Sequence, residues 1–493
     1  MQIFGNTIKK TAYNKAIRSQ KKFIRKFGDD RNKEYHLSLA DNSVLTPPFD
    51  CRIIKTQTAD SNSSLELPPK PIIIGNIRMG FGHYRISMAM ASAARSMGYT
   101  PLWLDLNSFP ETTCTKIISH QNALYSTGSR LSQQTNLVGK AFNKFFWEPL
   151  NYEGFKKLSY NAGDQITSQL MTPLFRQLPK DIPFVATHVW PSQAAIHAGM
   201  KNVINAIPDN WPMALHLSEG AVHTVQTNNA YWGYRTLDGF DGKKILNPMG
   251  RDDIFFTGHY IDHELVSNIE KDCQARIKRA KNGEAVRFLF TIGGAGAQGD
   301  FFASMIETLL PYVKENKACL YINCGDYQNV WQMLCKKIPV LKDGSIKTTE
   351  HFNNWDEELA FANSAITSDT EEASSGIHAF CNKDIFAAVY LTNLLMRASD
   401  ILITKPSELA FYPIPKLFIR RVGGHEMWGA IHSAELGDGT PECQTPQAAN
   451  NLVKLILEDT SLIEAMCLNI IKEKNKGTYD GAYNVIKLGE RKL

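Results

Sequence analysis

At 493 residues the chain is too long for one ordinary hydrophobic core, so two domains plus shorter appendages are expected. A composition of 43% apolar and 21% charged residues is that of a soluble globular protein, and a net charge of +5 is too mild for general nucleic-acid binding. No run approaches 18 apolar residues, no secretory signal pattern opens the chain, and nine scattered cysteines without a C-x-x-C pair favour reduced thiols in the cytoplasm.

The charge is concentrated at the start. Residues 1–33 carry ten Lys or Arg against Asp29 and Asp30. Tyr13, Ile17, Ile24 and Phe27 fall near one helical face, with Lys10, Arg18, Lys21, Lys22 and Arg25 around it. Such a helix either lies on an anionic membrane surface or packs on the protein's own body. Residues 56–70 are polar and end in Pro-Pro-Lys, which makes 1–70 a basic arm and linker.

A first domain is expected over 71–258. Ile72–Ile74 reads as a buried strand, Gly80-Phe81-Gly82-His83 as a glycine turn, the stretch to Met97 as a helix and Leu102–Leu106 as a second strand. This βαβ opening places its loop where an open parallel sheet receives ligands, and the helix N-terminus offers free N–H donors. A helical region over 112–178 follows, whose Phe142, Phe145, Phe146 and Trp147 are read mostly as core. Pro183–His188 and Asn202–Ile207 are further strands, the second running into Pro208–Trp211. Three strand ends thus deliver His83, His188 and Asp209 to one edge. Val222–Thr227 and Ile254–Gly258 close the domain.

The pattern restarts over 259–470. Arg287–Ile292 is a strand, followed by the glycine turn Gly293–Gly299, a helix from Asp300 to Val313 and the strand Ala318–Asn323. Asp343–Ser375 is polar and weakly patterned and reads as an insertion or mobile loop. A helix over Asp384–Met396 leads to the strand Ile401–Thr404, then to Lys405-Pro406-Ser407-Glu408, the strand Lys416–Ile419, the loop Val422–Glu426 and a helix closed by Gly437. Helical segments fill 446–474, and 471–493 is expected to pack back on the first domain. A glycine turn in each domain suggests one ligand held in a cleft between the two.

The motifs Gly80–His83, SDILITKPSE and VGGHEMWGAIHSAELGDG carry a resemblance. The chain resembles the GT-B glycosyltransferases related to monogalactosyldiacylglycerol synthase, processive diacylglycerol glucosyltransferase and the lipid-II-forming N-acetylglucosaminyltransferase. Those enzymes open with a strand and G-x-G-H, and later carry Thr-Lys-Pro-Gly with a nearby glutamate and a G-Q-E-x-x-N loop. The resemblance implies an α/β fold of two Rossmann-like domains facing a cleft. It further implies metal-independent, inverting transfer of a sugar from a UDP donor to a lipid or lipid-linked acceptor, with no cofactor. Such an enzyme would be cytoplasmic and peripheral at the inner face of the membrane.

Residue by residue, the resemblance makes His83 the catalytic base, with Asp209 as second choice and His188 orienting acceptor or base. Gly80, Phe81 and Gly82 form the acceptor-side loop. Gly293, Gly294, Gly296 and the turn Lys405, Pro406, Ser407 cradle the donor diphosphate, Glu408 holds the ribose hydroxyls, and Gly424, His425 and Glu426 line the sugar. The chain departs from the pattern in three ways. Its turn after Lys405-Pro406 is shortened by about three residues, His425 stands in place of the glutamine, and Gly429 stands near the usual asparagine. Two alternatives follow: a degenerate GT-B scaffold that binds nucleotide or partner without catalysis, and a GT-B-fold sugar-nucleotide epimerase.

Overall fold

The apolar runs of the sequence assemble into two separate sheets. The computed structural model describes residues 1–57, 65–132, 137–292, 298–367 and 375–490. They form two units: the first comprises Met1–Gly128, Ala141–His263 and the chain from Asp480, and the second is built on Glu264–Tyr479.

In the first unit a short hairpin, β1 (Gln2–Ile3) and β2 (Asn6–Thr7), precedes the main strands. These are β3 (Leu37–Ala40), β4 (Arg52–Thr56), β5 (Pro71–Asn76), β6 (Thr100–Asp105), β7 (Phe184–Ala186), β8 (Val203–Ala206), β9 (Val222–Val225) and β10 (Ile254–Phe256). Their order is β10-β9-β8-β7-β5-β6-β4-β3, parallel throughout except β3, which runs antiparallel to β4. Ile72, Ile73 and Ile74 are fully buried because helices cover both faces of β5. Gly75 completes that strand without a side chain, since a Cβ there would stand 2.3 Å from the Phe184 ring. From β5 the chain steps to β6 on one side and returns with β7 on the other. The topological switch point, where an open sheet takes its ligand, therefore lies between β5 and β7.

Residues 1–57 are not a detached arm. β3 and β4 extend the sheet, and the helix Lys10–Phe27 packs on the helix Leu158–Thr167, where the Gln20 amide donates to the Ile166 carbonyl at 2.5 Å. Phe23, Ile24 and Phe27 lie against the core, so this part of the apolar stripe is covered by the protein itself, while Tyr13 stays exposed and the lysines and arginines face outward. Burying the stripe removes it from water just as a membrane would, which is why spacing alone did not separate the two readings. At the other terminus the helix Gly481–Glu490 rests on the first unit. Asn202 donates to the Gly489 carbonyl at 2.8 Å, and the Tyr99 hydroxyl donates to Glu490 at 2.7 Å. The chain changes unit at His263–Glu264 and returns at Tyr479–Asp480, later than the expected 258 and 470.

Within the helical region Trp147 is core, since its ring fills the space left open by Gly128. Phe145 and Phe146, read as core from the sequence, are instead 76% and 58% exposed. Two successive π-helical turns, Asn143–Trp147 and Leu150–Gly154, rotate this segment so that Trp147 alone of the three points inward.

The second unit contains β11 (Val286–Thr291), β12 (Ala318–Asn323), β13 (Thr348–Phe352), β14 (Ile377–Cys381), β15 (Ile401–Thr404) and β16 (Lys416–Phe418). Their order is β13-β14-β12-β11-β15-β16, all parallel, with the switch point between β11 and β15. The segment expected as an insertion or mobile loop holds β13 and the helix Trp355–Thr367. Only His351 of β13 is buried, as suits an edge strand, so no apolar alternation marked it in the sequence. Residues 368–374 of that segment lie outside the described residues.

Candidate functional site

The switch point of the first unit is built from two loops. After β5 the chain turns through Gly80, whose φ of +75° is the left-handed region that favours glycine, and enters the helix Gly82–Ser96. Phe81 is the residue just before that helix, and His83 is its second residue. The His83 Nδ1 lies 2.7 Å from the Thr187 carbonyl oxygen just beyond β7. A carbonyl only accepts, so Nδ1 holds the proton and the lone pair of the neutral ring sits on Nε2. The Ser87 and Thr187 hydroxyls, 2.9 Å apart, tie the same helix to the same loop.

His188 follows directly. It caps the helix Val189–His197 in an extended conformation, and its Nδ1 accepts from the Trp190 amide at 3.1 Å. Burial first, then the fields of His83 and His216, push its pKa well below the usual histidine range. The helix N-terminus at which it sits also disfavours a cation. His188 is therefore a neutral imidazole with its proton on Nε2. The two histidine rings meet edge to face, with centroids 4.8 Å apart.

Asp209, beyond β8, is not a bare carboxylate. The His216 Nε2 lies 2.8 Å from its Oδ2, and the Asn205 amide holds the His216 carbonyl at 2.6 Å. The structure thus brings His83 and His188 into contact, and it pairs Asp209 with His216. Sequence reasoning missed His216. Its one signal was a histidine seven residues after Asp209 in a loop between strands.

A second missed residue is Asp164. Its Oδ1 accepts from the indole Nε1 of Trp190 at 3.1 Å, and Trp190 stands edge to face with His188. Burial pushes the Asp164 pKa from 3.8 up to about 7. The folded chain thus keeps a proton that the unfolded chain releases, and the stability held below pH 4 is lost as the pH rises through 7. Asp164→Asn cannot ionise and keeps an acceptor for Trp190. Its stability relative to the parent is expected to increase from pH 5 to pH 8, by at most about 3 kcal/mol. Urea titrations at both values check this, and an equal difference at each would overturn it.

At the second unit's switch point, Gly293, Gly294 and Gly296 lie outside the described residues. Beyond them, the Gln298 side chain donates to the Arg420 carbonyl and the helix Gly299–Lys314 begins. After β15, the Ser407 amide is occupied by the Lys405 carbonyl at 2.8 Å, closing a tight turn at Pro406. Gly429 packs on this turn: a Cβ there would lie 3.3 Å from the Pro406 oxygen and 3.2 Å from the Ala410 Cβ. Close approach to this turn accounts for glycine at position 429. Glu408 opens a short 3-10 helix and is half-buried.

Gly424, His425 and Glu426 form one helical turn. Both Glu426 oxygens are engaged: one pairs with the Lys405 ammonium, and the other accepts from the Val422 amide at 2.7 Å and the Gly423 amide at 3.2 Å. Burial opposes its charge, yet Lys405, His425 and these bonds hold its pKa below the usual carboxylate range. Glu426 is a fixed anion that shapes the loop. The His425 Nδ1 is buried with no partner among the described residues. Among those residues, too, no group of three or more His, Cys, Asp or Glu is arranged to hold a metal ion.

Two family models match the chain. Residues 2–236 match a family described as a domain of unknown function, DUF6937, and residues 249–490 match another, DUF6938. Together they span nearly the whole chain. No curated protein matches. Among solved structures, UDP-GlcNAc 2-epimerase from Neisseria meningitidis bound to UDP-GlcNAc is 12% identical over 85% of this chain and 98% of that one, with a TM-score of 0.44. MnaA from S. aureus with UDP is 13% identical over 86% and 94%, at 0.43. A glycosyltransferase from Rickettsia africae is 11% identical over 86% and 99%, at 0.39.

Proposed function

We propose that the chain transfers a sugar from a UDP donor to a hydroxyl of a lipid or lipid-linked acceptor, with inversion, at the cytoplasmic face of a membrane. The observation that carries this reading is the Nδ1 contact of His83 with the Thr187 carbonyl, which leaves Nε2 as the basic nitrogen at a sheet's switch point. In the reaction His83 Nε2 takes the acceptor hydroxyl proton. The acceptor oxygen bonds to the anomeric carbon, and the bond from that carbon to the diphosphate oxygen breaks, its electron pair leaving with UDP. The Nε2–H of His188 orients the acceptor. In the second unit, Glu408 accepts from the ribose hydroxyls. The N-terminus of the helix Gly299–Lys314 and the Lys405 turn face the diphosphate, and the unpartnered Nδ1 of His425 contacts the donor sugar.

A thermal-shift series with UDP, GDP, ADP and their sugars tests the donor. UDP compounds at 100 times their dissociation constant are expected to stabilise the chain by about 2.7 kcal/mol. No shift with any of them overturns the reading, and binding without turnover leaves the degenerate scaffold. The His216–Asp209 pair favours a second reading, a sugar-nucleotide epimerase, because it supplies the same unit with a proton-handling pair in addition to His83 and His188. Incubating UDP-sugars without acceptor and resolving the products by NMR separates the two: an epimer requires no acceptor, whereas a transferred sugar does.

A further inference from the structure

The helix Lys10–Phe27 has two unlike faces. Ala16 and Gln20 are buried, and Phe23, Ile24 and Phe27 lie against the core. Lys10, Lys15, Arg18, Lys21, Lys22, Arg25 and Lys26 are all exposed. At 3.6 residues per turn these seven fall within an arc of roughly 160°. The helix contains no acidic residue. Lys10, Lys15, Lys21, Lys22 and Arg25 have no ion-pair partner among the described residues. Seven like charges on one face repel one another and lower the stability of the fold, so a surface of this kind calls for an anionic counterpart.

The charged face ends beside apolar surface. Lys26 reaches His120 at 3.3 Å on the helix Thr113–Ser132, and Phe27 stacks obliquely on the same imidazole. One turn on from His120, on the same face, Leu124 is 56% exposed. Further along, about 12 Å from His120 at 1.5 Å per residue, Gly128 receives the Trp147 ring, and Trp147 anchors the exposed Phe145 and Phe146. A row of cations, with large exposed aromatics on the same unit, fits a bilayer, where the cations meet lipid phosphate and rings enter the headgroup layer. They do not suit a nucleic-acid groove, which would require the aromatics to alternate with the cations along one track.

We propose that the outer face of the helix Lys10–Phe27, with Leu124, Phe145 and Phe146 beyond its end, docks the protein on an anionic membrane surface. This deepens the proposed transfer to a lipid-linked acceptor by naming the surface that brings the enzyme to it. The docking holds through charge, with the helix's own apolar stripe staying inside the protein. It therefore differs from insertion of an amphipathic helix, and it weakens as salt screens the surface potential.

Sedimentation of the full chain with vesicles, in the absence of any nucleotide, tests it. The protein is expected to pellet with vesicles of phosphatidylcholine containing one part in three phosphatidylglycerol and to stay in solution with phosphatidylcholine alone. Each surface cation contributes about 1 kcal/mol, so Lys21→Gln with Lys22→Gln is expected to weaken anionic binding roughly 30-fold. Both residues point to solvent, so the fold is unaffected. Phe145→Ser with Phe146→Ser should lower the binding that survives raised salt. Equal binding to neutral vesicles, or no loss in the lysine variant, overturns the proposal. Tighter binding to a 20-nucleotide oligomer than to anionic vesicles also overturns it and assigns the face to nucleic acid. Because no donor is present, failure here leaves the nucleotide-binding result untouched, and failure there leaves this one standing.

Discussion

Replacing His83 by alanine is expected to lower sugar turnover by about 10²- to 10⁴-fold, the range that a positioned general base contributes. The UDP-induced thermal shift should be unchanged. The expectation follows from how the ring is held. The Thr187 carbonyl fixes the proton on Nδ1, so the ring needs no tautomer change before Nε2 accepts a proton. His188, kept neutral by burial and by its place at a helix N-terminus, adds no fixed positive charge to suppress that basicity. Turnover and nucleotide binding must be read together. Loss of both would report damage to the fold, whereas full turnover with an intact shift would remove His83 from the chemistry and leave the His216–Asp209 pair as base.

The same residues show what a sequence discloses. His83 and His188 could be singled out because each ends a strand with a strong apolar signal, and strand order then decides that they meet. Their ring contact, however, depends on β7 pairing with β5 across more than a hundred intervening residues, and no spacing records that. His216 was hidden because its value comes from Asp209, seven residues earlier, and the two are joined through a loop rather than along one regular helix whose period would have paired them. Glu426 was legible as a charged loop residue, but its partners were not. Lys405, 21 positions earlier, occupies one oxygen, and two loop amides occupy the other. The apolar stripe of the N-terminal helix was legible too, while its partner, the helix Leu158–Thr167, stands some 140 residues away.

Lys416 is the extreme case of that limit, and its replacement carries the largest expected loss of stability. In sequence it reads as a polar residue opening a strand; in the fold it is fully buried. An ammonium has three protons, and three acceptors surround this one: Asp438 at 2.8 Å, the Tyr412 carbonyl at 2.8 Å and the Ile414 carbonyl at 3.0 Å. Asp438 is matched in turn by the Ser433 hydroxyl on one oxygen, and by Lys416 and the Tyr479 hydroxyl at 3.2 Å on the other. Burial pushes the Lys416 pKa down and Asp438 resists that shift, so the pair holds its charge only while both members are present. Lys416→Met fits the volume but leaves a buried carboxylate without its cation and two carbonyls without a donor. A loss of about 3–5 kcal/mol is expected, read as a fall in the urea midpoint. Adding Asp438→Asn removes the stranded charge while an amide still answers Ser433 and Tyr479, so the double variant should be more stable than Lys416→Met alone. If the second substitution instead adds a further loss of its own, the two side chains act independently and the buried pair does not hold β16 to the loop that follows Gly437.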